Sequence, residues 1–286
     1  MRKPASLGLL LGVLAGCSGL GIAQDKSAAN MPPPKVLVIQ REFIKPGKAG
    51  STHEKTETAF VQAFRSAKWP TTYLAVDSLS GKPRSLFLVG YDSFEAWEKD
   101  AQAVQKNATL AAALDRAGVL DGDVQSDSDS GVFVYREDLS VGSPVALPQM
   151  RYFEITAFSV RPGHEKDFED LGKAYVNAYQ KIPNTHWATF QSMYGQSGNV
   201  YLVFTPMKSA SEVDQEMTTG KQVEQSMGED TSKKLSELSA ASIDHVQSNL
   251  FIINPRESYV SDEFANGDPT FWKPGATKKM AKAGTE

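Results

Sequence analysis

The chain has 286 residues, of which 41% are hydrophobic and 22% charged, a composition typical of folded globular proteins with apolar residues enough for two moderate cores. The formal net charge is −4 and lysines and arginines do not form a block, which excludes the basic surface of a nucleic-acid-binding protein. Cys17 is the single cysteine, so the sequence excludes a disulfide framework and a metal site built of thiolates.

The first residues are typical of an export signal. Two basic residues precede an apolar stretch from Leu7 to Ala15 that is too short to span a bilayer. Leu14-Ala15-Gly16-Cys17 resembles the lipobox of bacterial lipoproteins, which implies cleavage before Cys17 and attachment of lipid to its sulfur. Ordinary cleavage after Ala23 is the alternative and leaves a soluble periplasmic protein. We therefore expect an exported protein, in the periplasm or held at the envelope membrane surface by a lipid anchor at Cys17.

Three further stretches lack the periodicity of helices or strands. One ends in three consecutive prolines, one contains Gly142, Pro144 and Pro148, and the last is rich in glycine, proline and charged residues, with Phe271-Trp272 as a local docking point. The predicted organisation is a signal peptide at 1–16 (alternatively 1–23), a flexible tether at 17–34, a first module at 35–138, a linker at 139–149, a second module at 150–256 and a C-terminal tail at 257–286.

The two predicted modules resemble each other in order. The sequence AFVQAF at 59–64 matches AYVNAY at 174–179, and FIKPG at 43–47 matches FSVRPG at 158–163 with one insertion. Further matches follow in register, joining Ser78–Gly81 to Ser192–Gly195, Leu86–Val89 to Val200–Val203, and Val132–Val134 to Leu250–Ile252. Because these matches share one order and nearly one offset, they predict a tandem duplication.

In chain order, the first copy begins with Val36–Ile44, which is apolar at consecutive positions and predicts a strand covered on both faces. A helix with Phe60 and Phe64 on its apolar side follows, and two strands then meet around Gly81. The next stretch predicts one continuous helix before the last strand, with apolar positions at Phe94, Trp97, Ala101, Val104, Ala108, Ala111 and Leu114.

The second copy repeats this order from a strand at Arg151–Val160. Its first helix has an apolar stripe at Phe168, Leu171, Tyr175 and Tyr179, and a hairpin follows around Gly195. Its second helix opens with a capping box at Ser209 and Glu212. We expect a break at Gly220 or Gly228, because glycine inside a helix costs about 1 kcal/mol relative to alanine.

The order strand, helix, strand, strand, helix, strand is the ferredoxin-like arrangement, whose sheet has one bare face. The duplicated order and the turn-helix sequence Val160-Arg161-Pro162-Gly163-His164-Glu165-Lys166 resemble the dimeric α/β-barrel superfamily, in particular its antibiotic-biosynthesis-monooxygenase-like and NIPSNAP-like domains. The fold class implied is α+β, with two tandem ferredoxin-like βαββαβ modules packed sheet to sheet as an intramolecular dimeric α/β barrel, so that the modules pair with each other.

Aromatic residues near the second strand of each copy are the main ligand-binding candidates. Trp69 and Tyr73 lie there in the first copy, and His186 and Trp187 in the second, where a pocket for a flat apolar ligand could open. The alternative is that these rings only fill the core. His245, before the last strand, is a candidate haem ligand in the manner of haem-binding relatives, and the alternative is a polar surface residue or a hydrogen-bonded histidine of the core.

Other polar groups receive ordinary structural interpretations. His53-Glu54-Lys55 and His164-Glu165-Lys166 are predicted to be solvated helix starts. Asp121, Asp123, Asp127 and Asp129 have a spacing that matches no calcium site, so we expect a solvated acidic loop and no metal site.

Two functional hypotheses follow. The favoured one is a non-catalytic envelope module that binds a small apolar ligand or a protein partner without a cofactor, because no acid-base pair or nucleophile is evident in the sequence. The alternative, implied by the resemblance, is a cofactor-independent monooxygenase or a haem-binding or haem-degrading enzyme.

Overall fold

The computed structural model describes residues 30–273, apart from the side chains of 224–226. Cys17 and the predicted signal peptide lie outside this range. Eight strands of the described chain form one closed antiparallel barrel in the order β1-β3-β2-β8-β5-β7-β6-β4. They are β1 (Val36–Ile44), β2 (Tyr73–Ser78), β3 (Arg84–Tyr91), β4 (Gln125–Tyr135), β5 (Tyr152–Val160), β6 (Ala188–Tyr194), β7 (Asn199–Met207) and β8 (Ile243–Ile253).

Helices connect the strands in the same sequence in each half of the chain. None of the helices between residues 30 and 273 combines the length and apolar character needed to cross a bilayer. The helices are α1 (Ser51–Ala67), α2 (Phe94–Lys106), α3 (Ala108–Gly122), α4 (Glu165–Tyr179), α5 (Ser211–Met227), α6 (Glu229–Ser242), α7 (Asp262–Ala265) and α8 (Pro269–Trp272).

The barrel consists of two four-stranded sheets whose edges are hydrogen-bonded to each other. In each half the first strand lies between the third and the fourth, as β1 does between β3 and β4, and β5 between β7 and β8. One seam joins β2 to β8 over Val76–Ser78, and the other joins β4 to β6 over Val132–Tyr135. The seams leave no unpaired strand edge in the barrel.

Alternation along the strands explains why the sequence shows consecutive apolar residues. Leu37 and Ile39 of β1 pack with Phe133 and Phe251 in the core inside the barrel, while the side chains between them face the helices. Leu86, Phe87 and Leu88 of β3 are all buried, as expected for strands covered on both faces. Burying a side chain of this size contributes about 1.5–3 kcal/mol.

The two long helical connections are each broken once. The first was predicted to be continuous but breaks at Asn107, whose side-chain Oδ1 accepts a hydrogen bond from the Leu110 amide at 3.0 Å and so caps α3. The break expected in the second half occurs at Gly228, where φ is 77°, whereas Gly220 remains helical.

The segment after β8 differs from the predicted tail. Glu257, Ser258 and Tyr259 are buried, and Trp272 of α8 is only 7% exposed. The Trp272 indole Nε1 donates to the Pro148 carbonyl oxygen at 2.8 Å, and its ring packs edge-on against Phe264 and Phe271. No periodic pattern is visible in the sequence here because α7 and α8 are single turns, too short to show one.

Candidate functional site

A cavity of about 620 Å³ lies at one end of the barrel, where the starts of β2 and β6 meet the ends of β3 and β7. Its volume falls within the range of about 300–1,000 Å³ typical of small-molecule sites. Both halves of the chain contribute to its apolar wall, which includes Leu37, Leu74, Leu88, Phe153, Phe190 and Phe204.

Segments outside the repeated elements cover this cavity. Met31–Pro34 line it from the N-terminal side, Val145 and Leu147 from the linker, and Val260 and Phe264 from the segment after β8. A backbone bridge between Met31 and Val145 holds the first two segments together. A β-carbon on Gly90 would lie 2.8 Å from that of Pro34, so the close approach of this cover requires glycine.

The opposite end of the barrel holds a smaller, polar cavity of about 110 Å³. Arg41 and Asp129 pair there, with Nε of Arg41 2.9 Å from Oδ1 of Asp129. Phe204 lines both cavities and separates the apolar end from the polar end.

Three of the five ligand-binding candidates lie at the apolar cavity. Tyr73, His186 and Trp187 are among its lining residues, whereas Trp69 and His245 are not. The indole Nε1 of Trp69 donates to Oδ1 of Asp100 at 2.9 Å, which ties the end of α1 to α2. Trp69 is half-buried and links two helices outside the lining of the cavity.

The polar atoms of His186 and Trp187 are already engaged. His186 Nε2 lies 2.6 Å from the Pro206 carbonyl oxygen, and Nδ1 lies 3.1 Å from that of Asn184. Both ring nitrogens of His186 thus face carbonyl oxygens, which only accept hydrogen bonds, and a neutral imidazole with its single N–H can donate to only one of them. The Trp187 Nε1 donates to the Leu139 carbonyl oxygen at 2.8 Å, so its ring offers the cavity an apolar surface.

His245 is an exposed residue of β8, opposite Ser159 of β5, and does not reach the cavity. The structure thus places His245 on the surface, in agreement with the alternative interpretation as a polar surface residue. His164 is half-exposed, with Nδ1 2.8 Å from Oδ2 of Asp167, so this helix start is in contact with solvent, as predicted.

The prediction of a solvated helix start is wrong for His53, which is only 2% exposed. Its Nε2 lies 3.2 Å from Oε2 of Glu42, 3.9 Å from Oε1 of Glu57 and 3.8 Å from Oδ1 of Asp121. Its Nδ1 lies 3.4 Å from Oε1 of Glu257. We call Glu42, His53, Glu57, Asp121 and Glu257 the buried acidic cluster.

The sequence contains a signal for part of this cluster. His53, Glu57 and Val61 are the buried residues of α1 and recur every four residues, so two polar residues occupy the stripe that packs on the sheet. Glu42 lies in the preceding strand and Glu257 is distant in sequence, and neither carries such a signal.

The acidic stretch after α3 was predicted as a solvated loop, and the structure corrects this. Asp121 closes α3 and is 1% exposed, while Asp127 and Asp129 belong to β4. The Thr56 hydroxyl donates to Oδ1 of Asp121 at 2.6 Å, and the Gln125 side chain donates to its Oδ2, so Asp121 is held in place.

Burial strongly perturbs the protonation of the cluster. Removal from water, reinforced by the charges of Glu42 and Asp121, raises the pKa of Glu57 to about 10. Burial also raises the pKa of Glu257, to about 7. Burial alone would lower the pKa of His53, but hydrogen bonds with Glu257 and Glu42 raise it to about 10. The cluster therefore binds protons tightly when no other cation is present.

The chain matches no protein-family model and no curated protein sequence. Solved structures do resemble it. An anthrone oxidase-like protein aligns with 80% of this chain and 93% of its own, at a TM-score of 0.50 and 15% identity. A Fusobacterium nucleatum protein provisionally named a monooxygenase aligns with 78% of this chain and 94% of its own, at a TM-score of 0.51 and 13% identity.

A protein provisionally named a chlorite dismutase aligns with 82% of this chain and 98% of its own, at a TM-score of 0.45 and 14% identity. For the two structures with TM-scores of 0.50 and 0.51, the resemblance at these identities concerns the fold, and the closed eight-stranded antiparallel sheet with helices between its strands agrees with it. The chain has the α+β, dimeric α/β-barrel fold.

Proposed function

We propose that this protein binds a small, flat, apolar molecule in the 620 Å³ cavity and that this molecule is the substrate of a cofactor-independent oxygenation. The cavity is the observation that carries the proposal. Its wall is formed by aromatic and branched aliphatic side chains from both halves, which favours a ligand of fused rings over a polar metabolite.

The enzymatic part of the proposal is supported by the names of the two structures with TM-scores of 0.50 and 0.51, an anthrone oxidase-like protein and a monooxygenase. They favour the enzymatic hypothesis over the non-catalytic one. In the reaction proposed, one atom of O₂ replaces the two hydrogens of an activated ring CH₂ group to form a carbonyl, and those hydrogens leave with the other oxygen atom as water. The substrate supplies the electrons.

Asp92 is the only carboxylate among the described residues that line the cavity, and it is exposed at the rim. It is the group in place to accept the proton of the activated CH₂, since both nitrogens of His186 face carbonyl oxygens.

The candidate histidines of the sequence analysis are not placed to bind haem iron. An axial ligand needs a ring nitrogen that is free and directed into a pocket. His245 is on the outside of β8, and both ring nitrogens of His186 face carbonyl oxygens. We therefore assign no step to haem.

The proposal includes the origin and the cellular location of the protein. The recurrence of one element order supports two ferredoxin-like modules that arose by duplication. Export, with a lipid anchor at Cys17, follows from the N-terminal sequence, and a lipid-anchored protein in the envelope would meet apolar ligands that partition into membranes.

The first prediction is that Ala188→Phe weakens binding of a tricyclic ligand at least tenfold, because Ala188 lines the cavity and a phenyl group would occupy part of it. Anthrone, the tricyclic probe, is titrated under argon by quenching of tryptophan fluorescence. Ala101→Phe, an exposed alanine of α2, is the matched control and should bind like the wild type. Equal affinities of both variants would contradict the cavity assignment.

An oxygen electrode tests the chemistry separately, with anthrone as substrate. We expect oxygen uptake above the spontaneous rate in the wild type and at least a tenfold loss in Asp92→Asn with binding retained. Saturable binding without catalysed oxygen uptake would refute the oxygenase and leave the ligand-binding module.

A further inference from the structure

We propose that Glu42, His53, Glu57 and Asp121 form a binding site for one divalent transition-metal ion, such as Zn²⁺ or Mn²⁺, with Glu257 orienting the histidine. One donor atom from each of the four residues lies within 4.8 Å of the other three. Each of the four side chains is at least nine-tenths buried.

The distances suit a common ion. Two donors that are each about 2.1 Å from an ion at the tetrahedral angle lie about 3.4 Å apart. His53 Nε2 is 3.2 Å from the Glu42 oxygen, 3.8 Å from the Asp121 oxygen and 3.9 Å from the Glu57 oxygen. Each of these three distances from the histidine nitrogen lies within about 0.5 Å of that separation.

Glu57 points a free oxygen into this centre. Its Oε1 is buried and has no hydrogen-bond partner among the described residues, although an unpaired carboxylate oxygen is costly to bury. The same atom is the one that faces Nε2 of His53. A cation at the centre would satisfy it.

The surroundings of His53 are those of a metal-bound imidazole. A metal-ligating histidine commonly uses one ring nitrogen for the ion and donates from the other to a carboxylate, which fixes the tautomer. Here Nε2 faces three carboxylates and Nδ1 faces Oε1 of Glu257 at 3.4 Å. Asp121 is held in turn by Thr56 and Gln125.

The other half of the chain shows that the fold does not require this cluster. Each first strand has a register shift at its end, between Phe43 and Ile44 in β1 and between Ser159 and Val160 in β5. The residues just before are Glu42 and Phe158, so these two positions correspond in the strand register, although the sequence match pairs Phe158 with Phe43 across its one-residue insertion.

In the second half, the side chains that lie at this position between α4 and the sheet are apolar. Phe158 packs against Phe168 of α4 with ring centroids 5.6 Å apart, and Phe168 is the residue that the sequence repeat aligns with His53. An aromatic pair thus fills the place that Glu42 and His53 occupy in the first half. Because buried unpaired charges destabilise a fold, their presence in one half only indicates a role in binding a cation.

The carboxylate-rich set of donors limits which metal ions this site would bind. Three carboxyl groups with one imidazole are a donor set suited to borderline divalent ions. Mg²⁺ and Ca²⁺ prefer oxygen donors alone, so we expect them to bind more weakly than Zn²⁺ or Mn²⁺.

The second prediction uses the full-length protein after dialysis against EDTA. Calorimetric titration with Zn²⁺ and with Mn²⁺ should show one ion per chain, and Co²⁺ should give the visible absorption bands of a ligand field. Saturating metal should raise the melting temperature by several degrees. Glu57→Gln and Asp121→Asn should each weaken binding at least tenfold. Both variants keep the side-chain shape, so their circular dichroism without metal should match the wild type.

Two further variants serve as controls. The first distinguishes metal binding in the buried acidic cluster from binding at a surface histidine, and the second distinguishes a metal ligand from a residue that positions a ligand. His164→Gln changes the half-exposed histidine of the corresponding helix start and should leave affinity unchanged. Glu257→Gln should keep one ion per chain but weaken its affinity about 10–100-fold and shift the Co²⁺ bands. No stoichiometric binding, or affinity that Glu57→Gln does not alter, would overturn the proposal.

Discussion

Single glycines show how closely segments of this chain approach each other. Gly195, in the hairpin between β6 and β7, has φ of 79°, and a β-carbon there would lie 2.1 Å from the carbonyl oxygen of Ser130 in β4. Gly198 in the same hairpin has φ of 76° with open space around it. Both positions require the left-handed conformation, but only Gly195 also touches the neighbouring strand.

The third prediction is that Gly195→Ala destabilises the protein by about 1–3 kcal/mol more than Gly198→Ala. Each variant carries the conformational cost of alanine at positive φ, and Gly195→Ala adds displacement of backbone at the seam. Urea unfolding measures the difference, and equal midpoints in the two variants would contradict it.

The buried acidic cluster shows what sequence patterns miss at this scale. His53 and His164 lie in similar His-Glu-Lys motifs near the starts of α1 and α4. The motif is solvated at His164, whereas His53 is buried. The burial of His53 depends on Glu42 of the preceding strand, on Glu257 of a distant segment and on the packing of α1 on the sheet. Local patterns report such long-range contacts weakly, since one polar residue on an apolar stripe is compatible with several environments.

At the scale of elements, apolar periodicity was the most reliable guide. Strands that are apolar at consecutive positions are buried on both sides, as β3 is at Leu86–Leu88. The interruption of the first long helix at Asn107 was missed because the apolar spacing continues across it from Val104 to Ala108. There the capping side chain outweighs the pattern.

The segment with α7 and α8 is the clearest case of structure without a periodic signal. Its residues join the barrel core through Ala265 and Trp272, while Phe264 reaches the cavity. Its contribution comes from a few large side chains rather than from a stripe.

The fourth prediction is that Trp272→Ala lowers the free energy of unfolding by about 3–5 kcal/mol, as expected for removal of a buried indole. Trp272→Phe should cost less, since it keeps a ring between Phe264 and Phe271 and loses chiefly the hydrogen bond to Pro148. Denaturant titration gives both values. A loss below 1 kcal/mol for Trp272→Ala would mean that this segment is not part of the folded core.

For the whole molecule, the closed barrel makes the two halves depend on each other. The repeated sequence predicted that two sheets would cover each other, and the structure adds hydrogen-bonded seams at both pairs of edges. Separation would expose the shared core and leave four unpaired strand edges, which tend to associate.

The fifth prediction is that residues 35–138 and 149–286, produced separately, aggregate or self-associate, whereas co-expression restores a one-to-one complex. Several core side chains would become exposed at about 1.5–3 kcal/mol each, comparable in sum with the stability of a domain. Light scattering and thermal melting provide the measurements. Two soluble monomers whose melting transitions add up to those of the intact chain would show that each half has a closed core of its own.

The seam between β2 and β8 is the shortest strand pairing of the barrel, and its length bears on how fast a ligand enters and leaves the cavity. Only Val76–Ser78 pair with β8, beside the Tyr73–Tyr259 bridge of the segment that carries Glu257. A transient separation there breaks the three ladder pairs and flanking bonds such as Leu79 N–H to the Leu250 carbonyl oxygen, and it leaves both four-stranded sheets intact. We therefore expect the rate of ligand exchange, more than the affinity, to depend on how firmly this seam is held, and a metal ion bound beside Glu257 would slow both entry and release.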